Sequence, residues 1–136
     1  MSTIVPTVSY PSQNTVKFEW ASLTTYDSDP GGGVTEAWDD GTPVPPNWLE
    51  YVDRNVQVKG TPGVDFAMVI EGGRDGTNYA TLNDAVGTAI SFTGVGIKQI
   101  QELTPYMRPR ITDGEIDVTS VTVIMVCRRE RGGEGI

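Results

Sequence analysis

The side chains that could do chemistry in this chain are carboxylates, one thiol and several loop aromatics. The chain has 18 Asp and Glu residues, one Cys and no His. Without His, a Ser-His-Asp or Cys-His nucleophile and a His metal site are excluded. Cys127 ends an apolar run over 121–127, which predicts a buried structural thiol and not a nucleophile or half of an internal disulfide.

The carboxylates offer two further kinds of chemistry. Asp27 and Asp29, followed by Pro-Gly-Gly-Gly, invite a calcium site, but the spacing is not that of an EF-hand. Asp39 and Asp40 would join such a site only if the fold brought them close. A glycosidase-like pair can be drawn among many acids, and nothing selects one. We therefore expect a solvated acidic loop that binds no metal, and a protein that has no cofactor and is not an enzyme. A small hydrolase stays open as an alternative.

The pair Asp75-Gly76 lies in the Gly-rich stretch 72–79 and predicts a structural hairpin turn, because both residue types tolerate positive φ. A loop cation ligand at Asp75 is the alternative. Further along, Arg108 and Arg110 lie two apart on a predicted strand and so point the same way. They predict either ion pairs with acids of a neighbouring subunit or a solvated surface.

The tryptophans divide into two groups. Trp20 lies on an alternating strand and is predicted to be core. Trp38 and Trp48 lie in an acidic, Pro-rich segment with Tyr26 and Tyr51 nearby. Aromatics in such a segment cap the end of a sandwich, anchor a protein interface or stack on a sugar, and the sequence leaves the three open.

The charge pattern excludes one class of partner. The net charge is −8, and the segment 18–53 holds eight acids and no base. A nucleic-acid partner would require a clustered basic footprint. The acidity either keeps the domain soluble or meets a basic partner surface. The N-terminus lacks the basic and apolar regions of a signal peptide, and no apolar run reaches the roughly 20 residues of a membrane helix. We expect a cytoplasmic protein, or one assembled there.

The elements that must position these residues are short strands. Val16, Phe18 and Trp20 alternate with Lys17 and Glu19, and the same period of two recurs from residue 54 onward between Gly- and Pro-containing turns. This predicts an all-β protein, an antiparallel β-sandwich or jelly roll of about eight strands. The apolar last strand, 116–127, is predicted to be central, and Pro109 predicts an edge or a bulge.

The expected organisation is a single domain with two extensions. Residues 1–14 are predicted to be an extended arm, either disordered or laid on a partner. Residues 15–129 form the sandwich, which includes a long acidic loop over 24–50 that a short strand near 34–38 interrupts, and residues 130–136 form a flexible tail.

Five stretches together resemble small β-rich proteins from the structural gene blocks of tailed bacteriophages. The pattern is a V-Q-V-x-G strand, an E-G-x-x-D-G-x-x-[WY]-x-x-L turn and strand, an S-F-T strand, a Tyr-x-Arg-Pro strand and a Val-rich strand ending in Arg-Arg. Here these are residues 56–60, 71–82, 90–93, 106–109 and 121–129. The resemblance covers about 54–129 and not the arm or the acidic loop.

The resemblance implies a capsid cement (decoration) protein with a jelly-roll-like fold. Such a protein sits on the capsid exterior of the virion and holds neighbouring major capsid protein subunits together. The expected partners are the major capsid protein and further copies of this chain, as a dimer or trimer about a symmetry axis, with no nucleic acid and no membrane. The predicted interface residues are Ile4, Val5, Val8, Tyr10, Trp38, Trp48, Arg108 and Arg110. The alternative is a carbohydrate-binding or tail or fibre accessory module.

Overall fold

The computed structural model describes residues 3–27, 36–44, 48, 50–115 and 118–129. Twelve strands and no α-helix lie in this part of the chain. The strands are β1 Thr3–Ile4, β2 Thr7–Ser12, β3 Thr15–Asp27, β4 Glu36–Trp38, β5 Asp40–Gly41, β6 Asp53–Thr61, β7 Ala67–Gly73, β8 Ala80–Thr81, β9 Ser91–Phe92, β10 Gly96–Ile100, β11 Tyr106–Asp113 and β12 Ser120–Arg128.

The strands form two sheets that face each other. Sheet A has the order β1-β5-β11-β7-β8, with β9 also pairing with β7, and sheet B has the order β10-β6-β12-β3-β2, with β4 pairing with β3. All pairs are antiparallel except the two-residue pair of β1 with β5. From β6 onward the longer strands alternate between the sheets, as they do in a jelly roll. The predicted all-β sandwich is confirmed, with twelve strands in place of about eight.

The core lies between the sheets because each long strand turns alternate side chains inward. The last strand, β12, lies between β6 and β3, which confirms the predicted central position. Its inner residues Val121, Val123, Met125 and Cys127 are buried, while the residues between them are half-buried. Trp20 is fully buried, as predicted, and its Nε1 donates to the carbonyl of Thr42 at 2.9 Å.

The N-terminal segment is extended, but it is not a free arm. Strand β1 adds to the edge of sheet A and β2 adds to the edge of sheet B, so the segment bridges the two sheets along one side of the sandwich. Ile4 packs against the core, and its carbonyl accepts the amide of Thr42 at 2.8 Å. The interpretation that this arm is disordered or laid only on a partner is wrong, because its backbone is paired within the chain.

Two other expectations need correction. The acidic segment 24–50 contains more strand than expected, because the end of β3 and the strand β5 join the predicted short strand, which is β4. Residues 28–35, which hold most of the acidic loop for which a calcium site is the alternative, and the tail over 130–136 lie outside the described residues. The strand that carries Pro109 is not at an edge, since β11 lies between β5 and β7. The ring of Pro109 takes the place of a ladder hydrogen bond on the side of β11 that faces the short strand β5. There the ring packs closely against Gly41, where an added Cβ would come within 2.5 Å of Cδ of Pro109.

Candidate interface residues

Four aromatic side chains meet at the end of the sandwich that holds Asp53 and Arg128. The ring of Trp48 has its centroid 5.8 Å from that of Tyr10, 5.7 Å from that of Phe18 and 5.4 Å from that of Tyr51. Phe18 is an inner residue of β3, so this aromatic cluster continues the core to the end of the sandwich. Trp48 is therefore half-buried, and Tyr10, on the edge strand β2, is the outermost ring, with 62% of its surface exposed.

Charged residues surround the aromatic cluster. The guanidinium of Arg129 lies 5.1 Å from the centroid of the Tyr51 ring and forms an ion pair with Glu50. Arg128 pairs with Asp53 on the adjacent strand. A depression of about 280 Å³ between them is lined by Val52, Asp53, Arg128 and Arg129. Apolar side chains with paired charges beside them resemble the apolar core and polar rim of a protein interface.

Three apolar residues that follow one another along the N-terminal segment are exposed. We call these residues, Val5, Val8 and Tyr10, the N-terminal row. Val5 is 72% exposed and lies where the chain crosses from sheet A to sheet B. Val8 pairs with Phe18 and therefore lies on the inner side of β2, at the open side of the sandwich. Tyr10 belongs to both the N-terminal row and the aromatic cluster, so the exposed apolar residues of this segment lead along the chain to Trp48.

The predicted arginines lie elsewhere, on the outer face of sheet A. The cross-strand pair of Arg108 with Glu71 places Nε of Arg108 2.9 Å from Oε1 of Glu71, and Nη1 of Arg110 lies 3.3 Å from Oε2. The guanidinium of Arg108 also lies 4.0 Å from the centroid of the Tyr79 ring. Burial raises the pKa of the Asp40 carboxyl, and Arg110 partly opposes that shift. The network joins β5, β7 and β11 across the sheet.

The structure thus brings some of the eight predicted interface residues together and separates others. Val5, Val8, Tyr10 and Trp48 form one surface, Ile4 lies partly buried behind it, and Arg108 and Arg110 occupy the other sheet. Trp38 lies on β4 opposite Thr25, and its side chain lies outside the description. The carboxylate that the arginines contact is Glu71 of the same chain, and pairing with a neighbouring subunit stays a prediction.

Sequence reasoning missed the residues that hold these side chains in place. Glu71 is buried between two arginines, and Tyr51 packs against Trp48. Only the register of β7 against β11 identifies Glu71 as the partner of Arg108. One signal was available for Tyr51, because it follows Trp48 by three residues in the same segment.

Two of the acidic residues that invited a metal reading, Asp39 and Asp40, are used within the fold. Oδ2 of Asp39 accepts from the amide and hydroxyl of Thr24, each at 3.0 Å, while Asp40 lies beside Arg110, so the two carboxylates do not converge. Among the described residues, no three His, Cys, Asp or Glu side chains are grouped to hold a metal ion.

Asp75 confirms the predicted structural turn, with one difference. Its Oδ1 accepts the amides of Thr77 and Asn78 at 2.9 and 2.8 Å, and these donors lower the pKa of the carboxyl to about 2. Only Gly76 of the pair has positive φ, at 75°. Cys127 confirms its prediction too, because it is buried, and this burial raises the pKa of its thiol to about 11.

Within the part of the chain that the structure describes, there is no helix of the length and apolarity that crossing a membrane requires. Comparison of the chain with family models, with curated proteins and with solved structures returned no match.

Proposed function

We propose that this protein is a structural component of a bacteriophage virion, a capsid cement protein that acts by binding and not by catalysis. It attaches to the capsid exterior and adds contacts between neighbouring major capsid protein subunits. The observation that carries the proposal is the set of exposed apolar side chains in the N-terminal row, which meets the half-buried Trp48 at Tyr10. Exposed contiguous apolar surface on a small domain marks an interaction site.

The resemblance to phage proteins supports the same proposal. Its five stretches fall on β6, on β7 with the turn and β8, on β9, on β11 and on β12. These elements form most of sheet A and the strands β6 and β12 of sheet B, so the shared pattern describes much of the scaffold of the sandwich. The N-terminal row and Trp48 lie outside those stretches, where a partner-specific surface is expected to differ between relatives.

The mechanism follows from where the apolar surface lies. Tyr10 and Val8 sit on a strand that is hydrogen-bonded to β3, so they are held in place before binding. A pre-ordered surface loses less conformational entropy on binding than a free arm does. Each subunit would bury the aromatic end and the N-terminal row against the capsid, and rupture of the head would then require these contacts to break.

Cosedimentation with heads assembled from the major capsid protein of the same genome tests the proposal. We expect saturable binding, and heads without the protein should rupture at lower temperature. Tyr10→Asp should weaken binding by about 30-fold or more, because an interface aromatic contributes about 2 kcal/mol. Val86→Asp is the matched control, since Val86 is 85% exposed and lies on a different loop. Absence of binding to heads would overturn the proposal.

The carbohydrate-binding alternative is tested with the same preparation. Sugar stacking requires an exposed flat aromatic face, whereas Tyr79 carries Arg108 over its ring and Trp48 is packed among three aromatics. Binding to a glycan array together with no binding to heads would favour the accessory-module alternative.

A further inference from the structure

The outer face of sheet B is a regular surface that the proposed capsid contact does not use. Cross-strand pairing aligns side chains of five strands in one row. This row consists of Ile97, Gln57, Ile124, Glu19 and Thr7. The next row, by the same pairings, consists of Gln99, Asn55, Val126, Lys17 and Ser9. Aliphatic and amide side chains occupy the middle of this face.

The middle of the face is apolar and slightly concave. Ile97 is 65% exposed, and Ile124 and Val126 are half-buried beside it. A depression of about 190 Å³ is lined by Asn55, Val56, Gln57, Ile97, Ile124 and Val126. It adjoins a second depression of about 260 Å³ that Val126 and Asn55 share with Thr15, Asp53 and Arg128. Together they form a groove across four strands.

The charge of this face differs from that of the rest of the chain. The alternation of the strands places three bases and two acids on it: Lys17, Lys59, Arg128, Glu19 and Asp53. The face therefore carries +1, from three bases minus two acids, whereas the whole chain carries −8. Lys17 lies 3.5 Å from Glu19, and Arg128 pairs with Asp53, so most of these charges are already compensated. Two copies of this acidic chain repel each other least across this face.

We propose that two copies of this chain pack sheet B against sheet B, outer face to outer face, about a twofold axis. The rows of amide and aliphatic side chains are self-complementary, because each Asn and Gln side chain both donates and accepts hydrogen bonds. The five strands lie about 4.8 Å apart, but β10 and β2 are only five and six residues long, so the face presents about 600 Å². This is at the lower end of the roughly 600–1,000 Å² per partner that a standard-size interface buries.

The other surfaces of the sandwich are less suited to a second copy. The outer face of sheet A carries the charged network of Glu71, Arg108 and Arg110 where sheet B carries aliphatic and amide side chains, and burying that network would cost desolvation. The free edge of β10 carries Lys98, whose ammonium lies on the inner side, 5.6 Å from the centroid of the Phe92 ring. An inward-pointing charge on an edge strand opposes strand addition. Stacking of the sheets remains the favourable contact.

This inference does not rest on the proposed capsid role, because the dimer forms between copies of the purified protein. Sedimentation velocity from about 1 µM to about 1 mM should show a monomer–dimer equilibrium. Ile97→Lys and Gln57→Lys, both at exposed positions, should each raise the dimer dissociation constant about 100-fold. Val86→Lys, an equally charged change on a distant loop, should leave it unchanged. Melting temperatures equal to that of the wild-type protein would show that the variants fold.

Lysine cross-linking of mixed isotope-labelled and unlabelled protein locates the contact. The chain has three lysines, and two of them, Lys17 and Lys59, lie on the outer face of sheet B. We expect intermolecular cross-links between these two and none at Lys98. A monomer over the whole concentration range, a dimer insensitive to Ile97→Lys, or cross-links at Lys98 would overturn the inference. Dissociation of the dimer in about 1 M NaCl would also overturn it, because it would show an ionic contact.

Discussion

Arg54 is a buried cation whose hydrogen-bond partners are mainly backbone carbonyls. It is 1% exposed, and its guanidinium donates to the carbonyls of Tyr51 at 2.8 Å, Thr104 at 2.9 Å and Trp48 at 3.2 Å. Burial lowers the pKa of this guanidinium, which stays charged because its ordinary pKa is very high. The side chain thereby connects the aromatic segment before β6 to the segment before β11.

Replacing Arg54 with Met should destabilise the protein without altering its surface. The carbonyls of Tyr51 and Thr104 would lose their donor, and each unsatisfied acceptor costs about 1–3 kcal/mol. The carbonyl of Trp48 would still accept the amide of Tyr51 at 3.0 Å. We expect Arg54→Met to lower the free energy of unfolding by roughly 3 kcal/mol, as measured by urea denaturation. Arg74→Met, at an exposed position, is the control and should change it by less than about 0.5 kcal/mol. Equal effects of the two changes would contradict this role.

Asp75 gives the protein a specific pH dependence. Its folded pKa of about 2 lies below its ordinary value of 3.8, because backbone amides donate to the ionised carboxylate. A depressed carboxyl pKa stabilises the fold fully above the ordinary pKa, and the contribution is lost as the pH falls through about 2. The melting temperature of Asp75→Asn should therefore lie below that of the wild type at neutral pH and approach it near pH 2. A constant gap over this range would show that the charge is not responsible.

At the scale of elements, the N-terminal segment is the feature that pairs with both sheets. Its β2 protects the edge of β3, and Pro11 limits further strand addition to β2 because it lacks a backbone N–H. The segment thus has two roles, since it closes the side of the sandwich and presents the N-terminal row.

Deletion of residues 1–12 should lower stability as well as capsid binding. The protein would lose the pairing of β2 and the packing of Ile4, and the edge of β3 would be exposed. We expect a loss of at least about 2 kcal/mol in the free energy of unfolding and a greater tendency to aggregate. The substitution Val5→Ser, at an exposed position, is the control and should preserve the melting temperature. An unchanged melting temperature on deletion would restore the interpretation of a free arm.

At the scale of the whole molecule, Cys127 reports on global unfolding. Its thiol is buried on the central strand β12 and has a pKa of about 11, because burial disfavours the thiolate. Reaction with a thiol reagent at about pH 8 should require unfolding of the sandwich, so its rate should rise with urea in step with unfolding. The added thiol of Val86→Cys, at an exposed position, should react with the reagent at once in the native state. Rapid labelling of native Cys127 would contradict the central position of this strand.

The sequence predicted the fold well where local physics decides it. Alternation of apolar and polar residues identified the strands that became β3 and β6, since a half-buried strand must turn every second side chain inward, and an apolar run identified the strand that became β12. The turn at Asp75 was predicted for the same reason, because the residue types are those that the backbone of a turn requires. The short strand β5 was missed, since two residues carry no period.

The candidate interface was predicted only in part. Tyr10 and Trp48 were both named, but their contact at 5.8 Å joins strands and segments that are far apart in the chain. Arg108 and Arg110 were correctly placed on one face, yet the register against β7 decides that Glu71 lies between them. Gly41 is a similar case, because an added Cβ would lie 2.7 Å from a ring carbon of Trp20, a contact no local pattern reveals.

The sequence by itself determined that the chain forms an antiparallel β-sandwich and that it lacks His-dependent catalysis. Both follow from residue type and short-range spacing. The three-dimensional pairing of the strands, in contrast, places the N-terminal segment in both sheets, pairs the arginines within the chain, and leaves the outer face of sheet B with little net charge. These features depend on which strands are neighbours and in which register, and such long-range pairings leave no periodic trace in the sequence.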